Sequence, residues 1–280
     1  MKRIICAVWA LTLGVTLLAQ GTVNTRKYRY ADFPDKITQV VLNGEDLLSG
    51  YLKQEVSNRW TASAFEFCSF GDFEKMKKQD HYFLLLQDVS FKGEDRPGIR
   101  FLSLLKGGPS AGEGFEGMDE IISLPVASIE GTGREFVFLG PLVHAVQTFV
   151  QAALESEKNA YLKSEWFNGN YKRYGKMMQV YWAEEDLSED LDQALLDKYM
   201  DEDMHLITAD EADSLFQESA YNSLVSYVVA PSDPENGSYC YKMLFEAESQ
   251  QLFYIARHKI SAKKGVGFLA EDLQKLARKR

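Results

Sequence analysis

The chain has 280 residues, of which 45% are hydrophobic and 26% charged, with 31 basic against 41 acidic side chains and a formal net charge of −10. Apolar and aromatic residues in this proportion can form a folded core, so the composition excludes a disordered or fibrous protein. The acidic surface repels phosphate groups, which argues against nucleic acid and anionic membranes as partners.

The first twenty residues have the three-part form of a secretory signal peptide. Lys2 and Arg3 give a charged start, an apolar run follows over 4–18, and the small residue Ala19 stands near the end. The run is shorter than a membrane-spanning helix requires. We therefore predict a signal peptide over 1–20 and an exported protein, periplasmic or secreted, that does not span the membrane. Without Lys2 and Arg3 the formal charge becomes −12.

Two cysteines, Cys68 and Cys240, lie outside this leader. Each belongs to a short apolar run that indicates a strand, where a single cysteine usually behaves as a small hydrophobic side chain. An oxidising compartment would also allow the two to form a disulfide. Buried free thiols are the favoured interpretation, and the disulfide is the alternative. A zinc site is not indicated, because the chain has neither a Cys-x-x-Cys pair nor clustered histidines.

Hydrophobic periodicity predicts alternating strands and helices in the first half, after an irregular lead-in over 21–34. The predicted elements are a strand over 37–42, a helix over 47–56 capped by Asn43, a strand over 64–68, a short helix capped by Ser69, strands over 81–91, 99–105, 120–127 and 135–139, and a helix over 141–166. The last helix is the longest. Pro141 stands at its first position, where proline is tolerated, and its apolar stripe predicts a core helix.

The same order of elements returns after a turn-rich connector. The second half is predicted to contain a strand over 177–182, a helix over 190–200, a strand over 204–207, a short helix over 209–216, strands over 224–230, 239–247 and 252–260, and a closing helix over 268–279. The cap pairs of the two short helices, Ser69 with Asp72 and Thr208 with Glu211, are 139 residues apart. Matched capping residues at a nearly constant offset favour duplication of one unit.

We therefore predict an α/β (α+β) fold of two tandem similar βαβαβββα units, with helices packed on mixed sheets. The first domain covers 35–166 and ends in the long helix, 167–176 is the connector, and the second domain covers 177–280. Chance similarity between two ordinary α/β layouts is the alternative.

Each half carries a strand that leads into a capped short helix, FCSFGDFEKM over 67–76 and HLITADEADSLF over 205–216. With the strand hairpin that follows, this layout resembles the small α/β domains of bacterial envelope proteins. These are the curli secretion channel protein CsgG, the penicillin-binding-protein activator lipoproteins and the N-terminal domain of TolB. The chain lacks the lipobox of those lipoproteins and the β-propeller of TolB. The resemblance implies non-enzymatic assembly work in the cell envelope. The whole chain also resembles exported proteins of gut anaerobes, which implies no activity.

Three short stretches match or suggest known functional motifs, but the predicted elements or the spacing around them do not fit those motifs. GEGFEG over 112–117 fits G-x-G-x-x-G, but a predicted strand follows it instead of the helix that would hold a pyrophosphate. DEAD over 210–213 opens a predicted helix, and the chain has no phosphate-binding loop. The acidic runs at 184–190 and 201–203 lack the alternating ligand spacing of a calcium loop. We interpret the three as a hairpin loop, a capped helix start and solvated helix ends.

No residue is predicted to be catalytic, to bind a cofactor or to bind a metal. The four histidines, His81, His144, His205 and His258, have no metal-binding spacing, and no G-x-S-x-G elbow is present. The paired carboxylates of a glycoside hydrolase would leave no pattern in the sequence, so hydrolysis of envelope polymers stays open. These observations favour a binding protein over an enzyme.

Aromatic residues are concentrated around the connector. With the polar side chains between them they predict an exposed patch for an envelope protein or a glycan, formed by Tyr161, Trp166, Phe167, Tyr171, Tyr174 and Trp182. The favoured alternative is that these rings pack the seam between the two halves. The predicted function is a non-enzymatic binding or assembly module of the bacterial cell envelope, with small-ligand or glycan binding or envelope-polymer hydrolysis as the alternatives. Edge-strand pairing leaves a homo-oligomer open.

Overall fold

The computed structural model describes residues 22–23, 30–44, 46–91 and 94–277, which form eleven strands and eight α-helices. The predicted signal peptide over 1–20 lies outside the described residues. The strands are β1 (Thr22–Val23), β2 (Thr38–Leu42), β3 (Phe65–Ser69), β4 (Tyr82–Val89), β5 (Ile99–Lys106), β6 (Asp119–Ser128), β7 (Gln179–Ala183), β8 (Met204–Ile207), β9 (Ser223–Val229), β10 (Tyr239–Glu246) and β11 (Leu252–Lys259). The α-helices are α1 (Leu47–Arg59), α2 (Phe70–Met76), α3 (Glu135–Glu155), α4 (Glu157–Leu162), α5 (Asn168–Arg173), α6 (Gln193–Tyr199), α7 (Ala209–Gln217) and α8 (Ala270–Leu276).

The strands form two mixed sheets with the same internal order. The first sheet runs β1-β6-β5-β4-β2-β3 and the second β11-β10-β9-β7-β8. In each, a central strand pairs in parallel with two neighbours, β2 with β3 and β4, and β7 with β8 and β9. The remaining pairs, β4-β5-β6 and β9-β10-β11, are antiparallel. The fold is therefore α+β with two tandem similar units, as predicted, and β1 is an additional strand beside β6.

Successive residues of the strands face opposite sides, so each sheet has two apolar faces. In the first sheet Val40 packs in the core formed with α1 and α3, whereas Val41 packs with Phe73 of α2. In the second sheet Leu244 packs with α8, whereas Phe245 packs with Phe216 of α7. The helices thus occupy equivalent faces in the two units.

Helix α3 packs against both units. Its Phe138 stacks on Tyr227 of β9 with ring centroids 4.2 Å apart, and it also contacts Phe216 at 4.9 Å and Phe245 at 5.2 Å. The Tyr227 hydroxyl donates a hydrogen bond to the Val126 carbonyl at 2.6 Å. One apolar core therefore continues from the first sheet through α3 to the second sheet.

Helix α3 is also the one described helix that is long and apolar enough to cross a membrane. Of its most apolar window, 72% is buried inside the protein. A helix whose apolar surface is already covered by its own fold is a core helix. It therefore serves as a core element and not as a membrane span.

The predicted start of this helix was wrong. Residues 135–139, predicted as a strand, form its first turns, so Pro141 lies inside α3. The cause is the turn before it: Gly131 and Gly133 have φ of +72° and +94°, and the Glu135 carboxylate accepts the Gly133 N–H at 2.9 Å. Glycine adopts this left-handed region without a Cβ clash. The bonded turn begins the helix despite the alternating, strand-like composition of the residues after it.

The predicted end of this helix was also wrong. The helix ends at Glu155 because Ser156 is extended, with φ of −150°, and its hydroxyl caps α4 by accepting the Lys158 N–H at 3.2 Å. Residues 157–173, predicted as the end of the helix and a turn-rich connector, form α4, a 3₁₀ segment over Lys163–Phe167, and α5. A serine with extended backbone is a standard helix start.

The other predicted caps are partly confirmed. Ser69 caps α2, and Thr208 with Glu211 forms a reciprocal capping box on α7. Asn43 does not cap α1. Instead, the Asp46 carboxylate accepts the Leu48 N–H at 3.1 Å, so the helix begins at Leu47 and not at residue 44, where a cap at Asn43 would start it.

Candidate functional site

The six aromatic residues of the predicted patch divide between interior and surface. Phe167, Tyr171 and Trp182 are buried, Trp166 is half-buried, and Tyr161 and Tyr174 are exposed by 74% and 51%. Trp166 and Phe167 pack on Phe149 of α3, with centroids 6.4 and 6.3 Å away. Most of these rings therefore stabilise the core, and the six do not form one continuous surface.

Two asparagines fix the connector to the edge of the second sheet. The Asn168 side chain donates to the Ile255 carbonyl at 3.0 Å and accepts the Ile255 N–H at 2.7 Å. Asn170 donates to the Leu252 carbonyl at 3.0 Å. The side-chain amides thus occupy backbone groups that edge strand β11 would offer to another strand. This anchoring also holds Tyr174, at the end of α5, beside the second sheet.

Tyr174 is exposed together with two residues that the sequence did not single out. Met177 and Tyr221 are exposed by 67% and 82%. All three line a pocket of ≈ 310 Å³, the connector pocket, whose other lining residues are Met178, Asn222, Glu246, Glu248 and Phe253. Large apolar side chains exposed around one concavity are typical of a recognition site.

The geometry of the pocket rim follows from the turn before β9. Asn222 has φ of +55°, a left-handed conformation that asparagine tolerates better than most residues. Its side chain donates to the Met177 carbonyl at 3.4 Å, and its carbonyl accepts the Gln179 N–H at 3.0 Å. These bonds connect the Tyr221 turn to the end of the connector, and the two segments form one rim.

The opposite side of the pocket is acidic. Glu246, at the end of β10, is 5% exposed, and its two carboxylate oxygens accept the N–H groups of Glu248 at 3.1 Å and Ser249 at 2.6 Å. Among the described residues, no ion pair reaches this carboxylate. The connector pocket therefore combines exposed aromatic rings with a negative charge that is bonded only to backbone.

A larger pocket of ≈ 460 Å³ lies along α7 and the turn after it, lined by Asp210, Glu211, Ser214, Leu215, Glu218 and Ala220. Glu211 already belongs to the capping box, and the lining includes no aromatic ring. A groove beside solvated acidic side chains of one helix is an ordinary surface feature. Despite its greater volume, we regard it as a weaker candidate than the connector pocket.

A buried charge cluster joins the two units. The Arg134 guanidinium donates to both Asp186 oxygens at 3.0 Å, to Asp213 at 2.9 Å and to the Ser226 carbonyl at 3.0 Å. Burial raises the pKa of Asp213, and the Arg134 charge partly offsets this rise. Because every member has a partner, the cluster is interpreted as a structural clamp. Arg134 lies in a turn without a motif, so no sequence pattern indicates its role.

A second perturbed pair lies where the 3₁₀ segment meets β6. Glu120 Oε1 and Lys163 Nζ are 3.9 Å apart. Burial raises the pKa of Glu120 and lowers that of Lys163, and each shift is partly offset by the partner's charge. The other groups that affect Glu120 are Ser123 and Arg257, and not the second carboxylate of a glycoside hydrolase.

The raised pKa of Glu120 predicts a pH dependence of stability. Its contribution is full below the unfolded pKa near 4.5 and is lost as pH rises through the higher folded pKa. Between pH 4.5 and pH 7, the wild type should therefore lose more unfolding free energy than Glu120→Gln. Urea denaturation at both pH values measures this. Glu113→Gln, at an exposed position, should follow the wild type, and parallel curves for all three proteins would refute the assignment.

The described residues contain no group of three or more histidine, cysteine, aspartate or glutamate side chains that could hold a metal. Cys68 and Cys240 are free thiols, and of the two predicted to be buried, Cys240 is buried and Cys68 is half-buried. Burial raises the pKa of both to about 11, so each is protonated at neutral pH.

Comparisons with protein-family models, curated proteins and solved structures find no match to this chain. The resemblance to small envelope domains therefore stays a prediction. Fold alone does not determine function, so the argument for function rests on the connector pocket.

Proposed function

We propose that the protein is an exported, non-enzymatic binding module of the bacterial cell envelope that recognises a partner protein at the connector pocket. The observation that carries this proposal is the exposure of Tyr174, Met177 and Tyr221 around one concavity. Tyrosine and methionine are enriched in protein interfaces, where a few aromatic residues supply most of the binding energy. Of the other aromatic residues predicted for the patch, Phe167, Tyr171 and Trp182 are buried in the core.

The charge clusters support a binding role over an enzymatic one. Arg134 is bonded to two carboxylates and a carbonyl, which leaves it no free function in acid–base chemistry. The perturbed residue Glu120 faces a cation and a hydroxyl, an arrangement that favours an ion pair at the seam. With both charge clusters assigned to structural ion pairs, the connector pocket is the remaining candidate site, and its rim residues are exposed.

A photo-crosslinking amino acid placed at position 221 tests the proposal in the native envelope. We expect it to capture one partner. With that partner purified, the double variant Tyr174→Ala, Tyr221→Ala should weaken binding by tenfold or more, since each aromatic anchor contributes about 1–3 kcal/mol. The matched control is Tyr161→Ala, which removes a tyrosine that is 74% exposed but does not line the pocket. Failure to capture a partner, or equal loss in the control, would contradict the proposal.

Glycan binding is the second candidate. It is favoured by two exposed tyrosine rings beside the polar side chains of Asn222 and Glu248 in the same pocket. Aromatic rings stack on the apolar faces of sugars, and amide and carboxylate groups bond to their hydroxyls. Calorimetric titration with fragments of envelope polysaccharide tests this, with the same double variant and the same Tyr161→Ala control.

A further inference from the structure

Within the described residues, no positive charge pairs with the acidic side of the connector pocket. Glu246 is 5% exposed, yet its carboxylate is bonded to two backbone N–H groups and, within the described chain, to no lysine or arginine. A carboxylate has about four lone-pair positions, so two N–H groups leave acceptor capacity unused. Buried charges are normally paired with an opposite charge. This carboxylate therefore indicates that a cation completes the site.

The aromatic rim suits the same kind of ligand. A cation is attracted to the electron-rich face of a tyrosine ring, and a methylene stem packs against apolar side chains. Arg173 already lies 5.9 Å from the centre of the Tyr174 ring. No described cation lies over the ring of Tyr221, which is 82% exposed. The face of the Tyr221 ring can therefore receive the cation of a ligand, and Glu246 and Glu248 line the same pocket.

We propose that the connector pocket binds one lysine or arginine side chain, presented by a basic segment of the partner protein. The head group pairs with Glu246 and Glu248, and the stem lies against Tyr221 and Met177. This inference rests on the proposed function and names the chemistry of the partner.

Charge complementarity over a longer range supports the same partner. The chain carries a formal net charge of −10, so its field attracts a basic segment before contact. Such steering raises association rates and falls with ionic strength. Binding through the connector pocket is therefore expected to weaken as salt is added.

Methyl NMR on the whole exported protein tests the pocket without knowledge of the partner. Selective ¹³C-methyl labelling of methionine gives few signals, because seven of the 8 methionines lie outside the predicted signal peptide, and two of them, Met177 and Met178, line the pocket. The Met177→Leu variant loses one methyl signal, which assigns that signal to Met177. The probes are N-acetyl-lysine amide and N-acetyl-arginine amide. N-acetyl-norleucine amide, which has an apolar stem without the charge, is the matched control.

We expect both cationic probes to shift the pocket methionine signals to saturation, and norleucine amide to shift them far less. Glu246→Gln and Glu248→Gln should each raise the Kd of the lysine probe by roughly tenfold, the effect of one charged hydrogen bond. Glu113→Gln, at an exposed position, should leave it unchanged. Because Glu248 is exposed, its variant reports on charge even if Glu246→Gln disturbs the turn.

Two results would overturn the inference. One is equal binding of the norleucine and lysine probes, which would make the pocket an apolar site only. The other is the absence of a saturable shift with any probe. If crosslinking from position 221 still captures a partner that depends on Tyr174 and Tyr221, the proposed function stands and only its cationic chemistry is refuted. If no partner is captured while the probes bind, the pocket is a cation site outside the proposed role.

Discussion

Phe138→Ala is expected to lower the free energy of unfolding by about 3–5 kcal/mol. Phe138 is fully buried and contacts the rings of Tyr227, Phe216 and Phe245, which belong to β9, α7 and β10. Its removal leaves a cavity where the helix of the first unit meets the sheet of the second. The loss combines the transfer free energy of the ring with the cost of that cavity.

Urea denaturation measures this effect, and two further variants define its origin. Phe138→Leu keeps part of the volume and should cost less than the alanine variant. Phe70→Ala removes a phenylalanine that is 50% exposed and should change stability by about 1 kcal/mol or less. A loss in Phe138→Ala no greater than that in Phe70→Ala would show that the α3 contact contributes little to joining the units.

Arg134→Ala is expected to be comparably damaging, at about 3–5 kcal/mol, because it leaves buried carboxylates without their cation. Asp186 keeps the Ser226 hydroxyl at 2.6 Å and the Val228 N–H at 3.1 Å, but Asp213 loses its charged partner. With Arg134 gone, the pKa of Asp213 should rise further, since the arginine now offsets the effect of burial. The variant should therefore recover part of its stability in acid, where the Asp213 carboxylate takes up a proton.

The comparison of Arg134→Lys with Arg134→Ala tests the geometry of this cluster. One ammonium cannot reproduce bonds that a planar guanidinium makes to two carboxylates and a carbonyl, so the lysine variant should fall between wild type and alanine. The control is Lys264→Ala, which breaks an exposed pair with Glu271 and should cost about 1 kcal/mol or less. If Arg134→Ala had the same free energy of unfolding as the wild type, the interpretation of the cluster as a structural clamp would be wrong.

Local signals in the sequence were sufficient for most of the order of the elements, but not for β1, α4 and α5. Apolar alternation located most strands, and the cap of α2 and the capping box of α7 revealed that the halves correspond. Residues 135–139 were wrongly predicted as a strand, because their alternation of polar and apolar side chains is also typical of a strand. The deciding contact is the Glu135 carboxylate on the preceding glycine turn, which is a three-dimensional feature.

The site was predicted only in part, because burial depends on how the units pack. Tyr171 and Tyr174 are three residues apart and look alike in the sequence, yet the first is buried beneath α8 and the second is exposed. Tyr221 stands in a turn between a predicted helix and a predicted strand, a position that indicates exposure. No sequence pattern around Glu246 indicates that its carboxylate is buried and, among the described residues, bonded only to backbone N–H groups.

The two surfaces of α3 also have a consequence for how the chain is made and exported. Its counterpart α8 presents Glu271, Gln274 and Lys275 to solvent, whereas the Phe138 side of α3 is covered by β9 and β10. Because synthesis proceeds from the N-terminus, the strands of the first sheet and α3 are made before β9 and β10, which later cover the Phe138 side of α3. During that interval the half-made protein carries an uncovered apolar helix surface, and a holdase chaperone that shields α3 would protect it from aggregation until Glu246 has emerged.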